Sequence, residues 1–325
     1  MKTLVTGANG FLGRRVVAAL LARGHSVRAL VRPATNASAL EQLGVTDFIR
    51  ADLVTGHLGD SFDGVEAVLH LAAATSGDEH HQFAATVVGT ERLLTAMTGS
   101  PCKRLILASS FAVYDWSCIK GTLDERSPVV SSGTLYARDG YCIAKSWQER
   151  VTRRVAASSG WELVVLRPGF IWGKDHTGLA ACGQPLGPVQ IVVGPMSRMP
   201  MTHVDNCADL FARVVDNPRA SGETFNVVDG PGERIWTFLG DHFRGIGHTR
   251  VRIPIPYALT YVAVKTLFGR LAERSPKLPG LLVPCQLEAR VKPLTFTNRK
   301  AAELLGWHPP LSYRECLVRS FDVQG

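Results

Sequence analysis

The stretch TGANGFLG, Thr6–Gly13, sets Gly7, Gly10 and Gly13 in a G-x-x-G-x-x-G arrangement. It follows a short β-branched run, KTLVTG, and opens an apolar stretch at helical spacing, RRVVAALLARG, that stops at Gly24. Glycine triplets alone can serve only as turn chemistry. Between a strand and a helix they let the backbone turn tightly and bring bare N–H groups and the helix N-terminus against a pyrophosphate. Asn9, Phe11 and Leu12, lying between the glycines, count with them as cofactor-binding positions.

Outward from this turn the hydrophobic period keeps changing. SVRALVR, TDFIRADL, EAVLHLAA, RLILASS and ELVVLRPG read as strands, separated by helical stretches such as GTERLLTAM and YCIAKSWQERVTRRVAASSG. Strand and helix in alternation imply right-handed crossovers and a parallel sheet covered on both faces. The predicted fold class is therefore α/β, a doubly wound parallel sheet of the Rossmann type. No internal repeat or low-complexity segment interrupts it.

Which dinucleotide binds is a question of charge. A carboxylate at the end of the second strand would accept the adenosine ribose hydroxyls and repel a 2′-phosphate. RALVRP has none: Val31 stands there, and Arg32 follows with a guanidinium that can fork onto phosphate oxygens. NADP(H) is the expected cofactor, with NAD(H) as the second option. Asp52 and Leu53 follow the third strand at an adenine-edge position, Ala72 and Ala73 close the fourth with side chains small enough for close passage, and Leu71 before them counts as cofactor-binding too.

Composition restricts the remaining classes. The chain has 325 residues, 46% hydrophobic and 20% charged, which suits an ordinary globular core. A net charge of +8 is spread without a basic run or aromatic-interleaved patch, so no nucleic-acid partner is expected. The start reaches glycine before any signal-length apolar run, and export is not expected. Seven scattered cysteines, Cys182 among them, lack C-x-x-C spacing and nearby histidine pairs, which reads as reduced cytoplasmic thiols and no metal. His80, His81 and His176 receive no role. The longest apolar stretch, Ile253–Gly269, contains two prolines and a lysine and falls short of a bilayer span. It reads as a buried or substrate-covering helix.

GYCIAKSWQER, from Gly140, places Tyr141 and Lys145 one helical turn apart on one face. Ser109 and Ser110 end the strand that precedes this helix, where an open parallel sheet binds its ligands. The roles follow from residue type. Ser110 holds a carbonyl or alkoxide oxygen, and Tyr141 exchanges a proton with it. Lys145 supplies an ammonium that favours the phenolate, and it can also hold ribose hydroxyls. A nicotinamide supplies the hydride.

TGANGFLG, ADL at Asp52, HLAA from His70, SSFAVY from Ser109, YCIAK from Tyr141 and RPGFIWG from Arg167 together resemble the extended short-chain dehydrogenase/reductases, the NAD-dependent epimerase/dehydratase family. THVDNCADL, FNVVDG and RKAAELLGWHP extend the resemblance over nearly the whole chain. It implies Ser110, Tyr141 and Lys145 as catalytic residues, and Pro168, Gly169, Phe170 and Ile171 along the nicotinamide. It also implies a dinucleotide-binding domain over 1–173 with a return segment at about 202–230, a smaller α/β substrate region from 174–201 and 231–325, and a homodimer. VRALVR is similar to the dihydroflavonol-reductase and 3β-hydroxysteroid-dehydrogenase-like group.

Two departures stand out. Thr86 replaces a usual asparagine, and Asp115 replaces a glycine. The segment between Gly173 and Thr202 is short for gripping a nucleotide diphosphate, and SRMPMTHV lacks the epimerases' arginine-aspartate-aromatic run, although Arg198 is available to an acidic group. Phe111, Trp116, Trp172 and Ile253–Phe268 offer either a hydrophobic pocket or core. The leading expectation is an NADP(H)-dependent oxidoreductase interconverting a ketone and a secondary alcohol on a small or lipid-like substrate. A nucleotide-sugar epimerase/dehydratase retaining NAD comes second, and a non-catalytic NADPH sensor third.

Overall fold

The computed structural model describes residues 1–131, 140–177, 183–248, 250–272 and 280–321, so Cys182 lies outside the described residues. Along the chain run β1 (Lys2–Thr6), β2 (Ser26–Val31), β3 (Asp47–Arg50), β4 (Ala67–His70), β5 (Arg104–Ala108), β6 (Thr122–Leu123), β7 (Glu162–Pro168) and β8 (Phe170–Trp172). The helices among them are α1 (Phe11–Ala22), α2 (Ser38–Gln42), α3 (Glu79–Phe83), α4 (Gly89–Thr98) and α5 (Gly140–Ser159).

Seven strands form one parallel sheet, in the order Thr224–Val227, β7, β5, β4, β1, β2, β3. The chain leaves β1 toward β2 and β3 on one side, then returns to β4 and β5 on the other. A crevice therefore opens above the carboxyl ends of β1 and β4, where Thr6 pairs with His70. The central strands are buried on both faces, so RLILA in β5 is a nearly continuous apolar run without alternation. On one face Val16, Val17 and Leu20 of α1 pack with Leu210 and Phe211 of helix Val204–Arg213. On the other, Leu93, Leu94 and Met97 of α4 pack with Val151 of α5.

The third strand predicted from TDFIRADL is shorter: β3 ends at Arg50, and Asp52 opens a turn by accepting the backbone N–H groups of Val54 (2.8 Å) and Thr55 (3.1 Å). A second correction concerns Ile253–Gly269, which is not one buried helix. Pro254 and Pro256 keep its first part extended, as the edge strand Val251–Ile255, and the helix begins only at Tyr257. That helix turns Val264 inward and leaves Leu259, Val262 and Leu267 exposed. It packs on helix Pro284–Val291. No helix among the described residues is long and apolar enough to cross a membrane.

Candidate active site

Above the crevice lies a single cavity of about 1180 Å³. Every site residue named from the sequence borders it, from the glycine turn and Arg32 to Ser110, Tyr141, Lys145 and the Pro168–Ile171 segment.

The glycine turn is close-packed. Gly7 has φ +69°, and a Cβ there would stand 2.9 Å from Ala72 N. A Cβ at Gly13 would fall 2.1 Å from the Gly7 carbonyl, so α1 approaches β1 only because that side chain is absent. Gly10 is extended and starts α1 without a side-chain cap. The first-turn N–H groups of α1 therefore remain available to an anion. Asn9 donates to the Asn36 carbonyl (3.1 Å), while its own Oδ1 is buried with no partner among the described residues. Arg32 stands exposed just past β2; its carbonyl accepts the Thr35 N–H (2.9 Å), while its guanidinium has no hydrogen bond or ion pair among the described residues. An orphan acceptor, a bare helix N-terminus and a free guanidinium around one crevice fit a phosphate-bearing dinucleotide.

At the other end of the crevice, α5 brings Tyr141 and Lys145 across the tip of β5. Tyr141 is half-buried and Lys145 only 2% exposed. The Lys145 ammonium donates to the Ala108 carbonyl (2.5 Å) and to the Gln148 side-chain oxygen. Two of its three N–H groups are thus tied to the protein. Burial pulls this lysine down to about 7, against the raising field of Glu149. Ser110 starts a short turn and accepts the Ala112 N–H (3.1 Å). Its neighbour Ser109 also borders the cavity, but its hydroxyl donates to Glu149 (2.5 Å).

Beneath Lys145 runs a buried polar chain that the sequence did not announce. Gln148 Nε2 donates to Thr90 Oγ1 (2.9 Å), and Thr90 lies 2.8 Å from His70 Nε2. His70 Nδ1 lies 2.6 Å from Thr6 Oγ1, which accepts the Ala72 N–H (3.3 Å). Thr86, the departure from the family pattern, accepts the Ala74 N–H (3.0 Å) and takes the Thr90 hydroxyl on its carbonyl (2.5 Å). It holds the β4 loop in place without facing Lys145. Asp115, the other departure, accepts Ser117 Oγ (2.6 Å) and caps the turn that carries Trp116.

Burial, with a smaller contribution from Lys145, pulls His70 down to about 3. The unfolded chain therefore takes up this proton first. The stability His70 contributes is fully present above about pH 6.5 and is lost as pH falls toward 3. Denaturant midpoints between pH 7 and 4.5 should show this loss, up to about 1.4 kcal/mol per pH unit. The slope should be shallower in His70→Gln by up to one proton, and an unchanged slope would place the titration elsewhere.

Several expectations shift. His176, left without a role, stacks on Phe11 with ring centroids 4.1 Å apart and borders the cavity, as does His81. No spacing rule pairs Phe11 with a histidine 165 positions later, because β8 carries the chain back over the glycine turn. Trp172 is core, edge-on to Phe238 at 5.3 Å; Phe111 and Trp116 are buried in a core cluster too, but also border the cavity. Arg198 donates to the Gly232 carbonyl and stays away from the cavity. Cys285, Gln286, Ala289 and Arg290, all on helix Pro284–Val291, border the cavity as well, and no motif marks them in the sequence. No cluster of metal-ligating side chains occurs among the described residues.

A seven-stranded parallel sheet with a glycine-lined crevice at its crossover defines a Rossmann-type dinucleotide-binding protein. Residues 3–228 match the NAD dependent epimerase/dehydratase family, and the chain belongs to it. It is an NAD(P)-dependent oxidoreductase of the extended short-chain dehydrogenase/reductase type. Among its relatives, a 4-hydroxy-2-methyl-3-oxo-4-farnesyl-3,4-dihydroquinoline-1-oxide ketoreductase of Stigmatella aurantiaca is 29% identical over 98% of this chain and 95% of that protein. A 3 beta-hydroxysteroid dehydrogenase/Delta 5-->4-isomerase of Mycobacterium tuberculosis is 29% identical over 98% and 88%. UDP-glucuronic acid 4-epimerase from Bacillus cereus shares the fold, with a TM-score of 0.73 at 19% identity over 99% of this chain and 98% of that one.

Proposed function

We propose that the protein is an NADP(H)-dependent oxidoreductase that interconverts a ketone and a secondary alcohol on a lipid-like substrate, acting as a cytoplasmic homodimer. The observation that carries this reading is one continuous cavity. It is bordered at once by the glycine turn and Arg32, by Ser110, Tyr141 and Lys145, and by Phe111, Trp116 and Ala289. The two relatives above are named for a farnesyl-bearing quinoline oxide and a hydroxysteroid, both large apolar skeletons carrying one reacting oxygen.

The bound nicotinamide supplies the hydride, and the rest falls to the protein's side chains. Ser110 donates a hydrogen bond to the substrate oxygen and holds its carbon toward the Pro168–Ile171 wall. Tyr141 gives that oxygen a proton in reduction and removes it in oxidation. Lys145 is anchored by the Ala108 carbonyl and Gln148, which leaves one N–H that would serve a ribose hydroxyl or the phenol. Phe111, Trp116 and Ala289 give the cavity an apolar stretch on which a lipid-like skeleton would rest. Arg198, the cation the epimerase reading would call on, is held elsewhere by the Gly232 carbonyl.

The cofactor preference has a direct test. The 2′-phosphate would meet Arg32 just past β2, and Arg32→Asp replaces that attraction with repulsion. The expected outcome is a loss of about tenfold to a hundredfold in kcat/KM for NADPH, with NADH less affected. A variant that still prefers NADPH would refute the assignment. Tightly held NAD with no net absorbance change during turnover would favour the epimerase reading instead.

A further inference from the structure

The helix Tyr257–Ala272 has an inner face and an outer face of unlike packing but like polarity. Val264 is buried, and Tyr257 and Tyr261 pack on the same core as Trp172 and Phe238. Outward, Leu259, Val262 and Leu267 are 65%, 60% and 72% exposed. The preceding strand Val251–Ile255 is the edge of its small sheet, and it exposes Val251 by 65% and Ile253 by 47%, while Arg252 turns in over the Trp236 ring at 4.2 Å. Met196 is exposed as well, in the turn whose Gly194 N–H donates to the Ile255 carbonyl (2.9 Å). Exposed apolar side chains scattered singly need no explanation, but six on one strand, its adjoining turn and the following helix do.

Charge identifies the partner. From Val251 to Ala272 the sequence contains no Asp or Glu, whereas Arg252, Lys265 and Arg270 fall within it and Arg250 precedes it. Lys265 is exposed, with its ammonium 5.7 Å from the Tyr261 ring. Two copies of such a face brought together would set cation against cation with no acid between them, so a second copy is a poor occupant. An apolar face flanked by cations matches the boundary between anionic headgroups and acyl chains.

We infer that the strand and helix over Val251–Ala272 dock on an anionic phospholipid surface, with Leu259, Val262, Leu267 and Ile253 inserted and the exposed Lys265 and Arg250 among the headgroups. The 16-residue helix is too short to cross a bilayer and lies along it. The placement has a use. Helix Pro284–Val291 packs directly on the docking helix and lends Cys285, Gln286, Ala289 and Arg290 to the substrate end of the cavity. The docked face thus lies behind that wall, where a lipid-like substrate would enter from the membrane. This use rests on the proposed function, but the docking does not.

Docking is measured without turnover, by cosedimenting the full chain with vesicles of phosphatidylcholine alone or with about one-quarter phosphatidylglycerol. The expected result is affinity for the anionic vesicles at least about tenfold above that for neutral ones, falling as salt rises. Leu259→Glu with Val262→Glu should abolish vesicle binding while leaving the thermal midpoint and NADPH affinity of the free protein unchanged. A parent chain that stays in the supernatant with both vesicles overturns the proposal. So does a variant that is still folded and binds as the parent does, or one whose only change is from dimer to monomer in sedimentation. Docking without turnover of any ketone would leave the surface standing and remove only the substrate reading.

Discussion

Replacing Tyr141 by phenylalanine should lower kcat for ketone reduction by about a hundred- to ten-thousand-fold while leaving the NADPH dissociation constant within about twofold. The hydroxyl is the only group removed, and the ring still packs against the cavity wall. Positioned proton transfer accounts for a factor of this size in general acid–base catalysis, and a loss confined to kcat separates it from a binding role. Ser110→Ala should cost less, about tenfold to a hundredfold, because it removes one hydrogen bond and no proton carrier. Lys145 is read differently from a simple charge donor. With its ammonium near a pKa of about 7 and fastened to the Ala108 carbonyl and Gln148, Gln148→Leu should disturb it without touching the cavity. The readout is a displaced limb in the pH–rate profile. Full turnover in Tyr141→Phe, with the fold intact, would remove the phenol from the chemistry and leave only the dinucleotide site.

What the sequence made legible divides along physical lines. Period and punctuation are local, so β1, α1, β2, β5 and α5 could be read from apolar spacing and glycine stops. The Gly7–Gly13 turn was legible because its backbone requirement is carried by residue type alone. Partners across the fold were not. Nothing near Lys145 in sequence says that it will hold the Ala108 carbonyl 37 positions earlier, or that His70 will sit between Thr6 and Thr90. Asp52 illustrates the limit within a single motif: its carboxylate was read for the cofactor, and it is in part committed to the Val54 and Thr55 N–H groups. The segment Ile253–Gly269 misled for the converse reason. Apolar composition signals burial only on average, and two prolines with an unpartnered outer face produced an edge strand and a half-exposed helix.

The largest expected loss of stability comes from Glu149, which no motif singled out. Its carboxylate accepts Arg167 through Nη2 (2.5 Å) and Nε (3.1 Å), Arg153 through Nε (2.9 Å) and the Ser109 hydroxyl. Both Glu149 and Arg167 are buried, and the Arg167 guanidinium also lies 4.7 Å from the Tyr114 ring. Burial pushes the Glu149 carboxyl up, and Arg167 more than reverses this, holding it at about 2. A carboxyl whose folded value lies below its unfolded one contributes stability that is present above about pH 4.5 and lost as pH falls through 2. At neutral pH, Glu149→Ala leaves Arg167 charged in a pocket with no counter-ion. Removing one partner of a buried pair costs about 3–5 kcal/mol. In a chain of this size the melting temperature should drop by roughly 5–10 °C. Glu149→Leu with Arg167→Met should recover most of that loss, because replacing both charges by apolar side chains removes the unpaired cation. A single variant that melts with the parent, or a double variant worse than the single, would show that the pair is not what joins α5 to β7 beneath the serine turn.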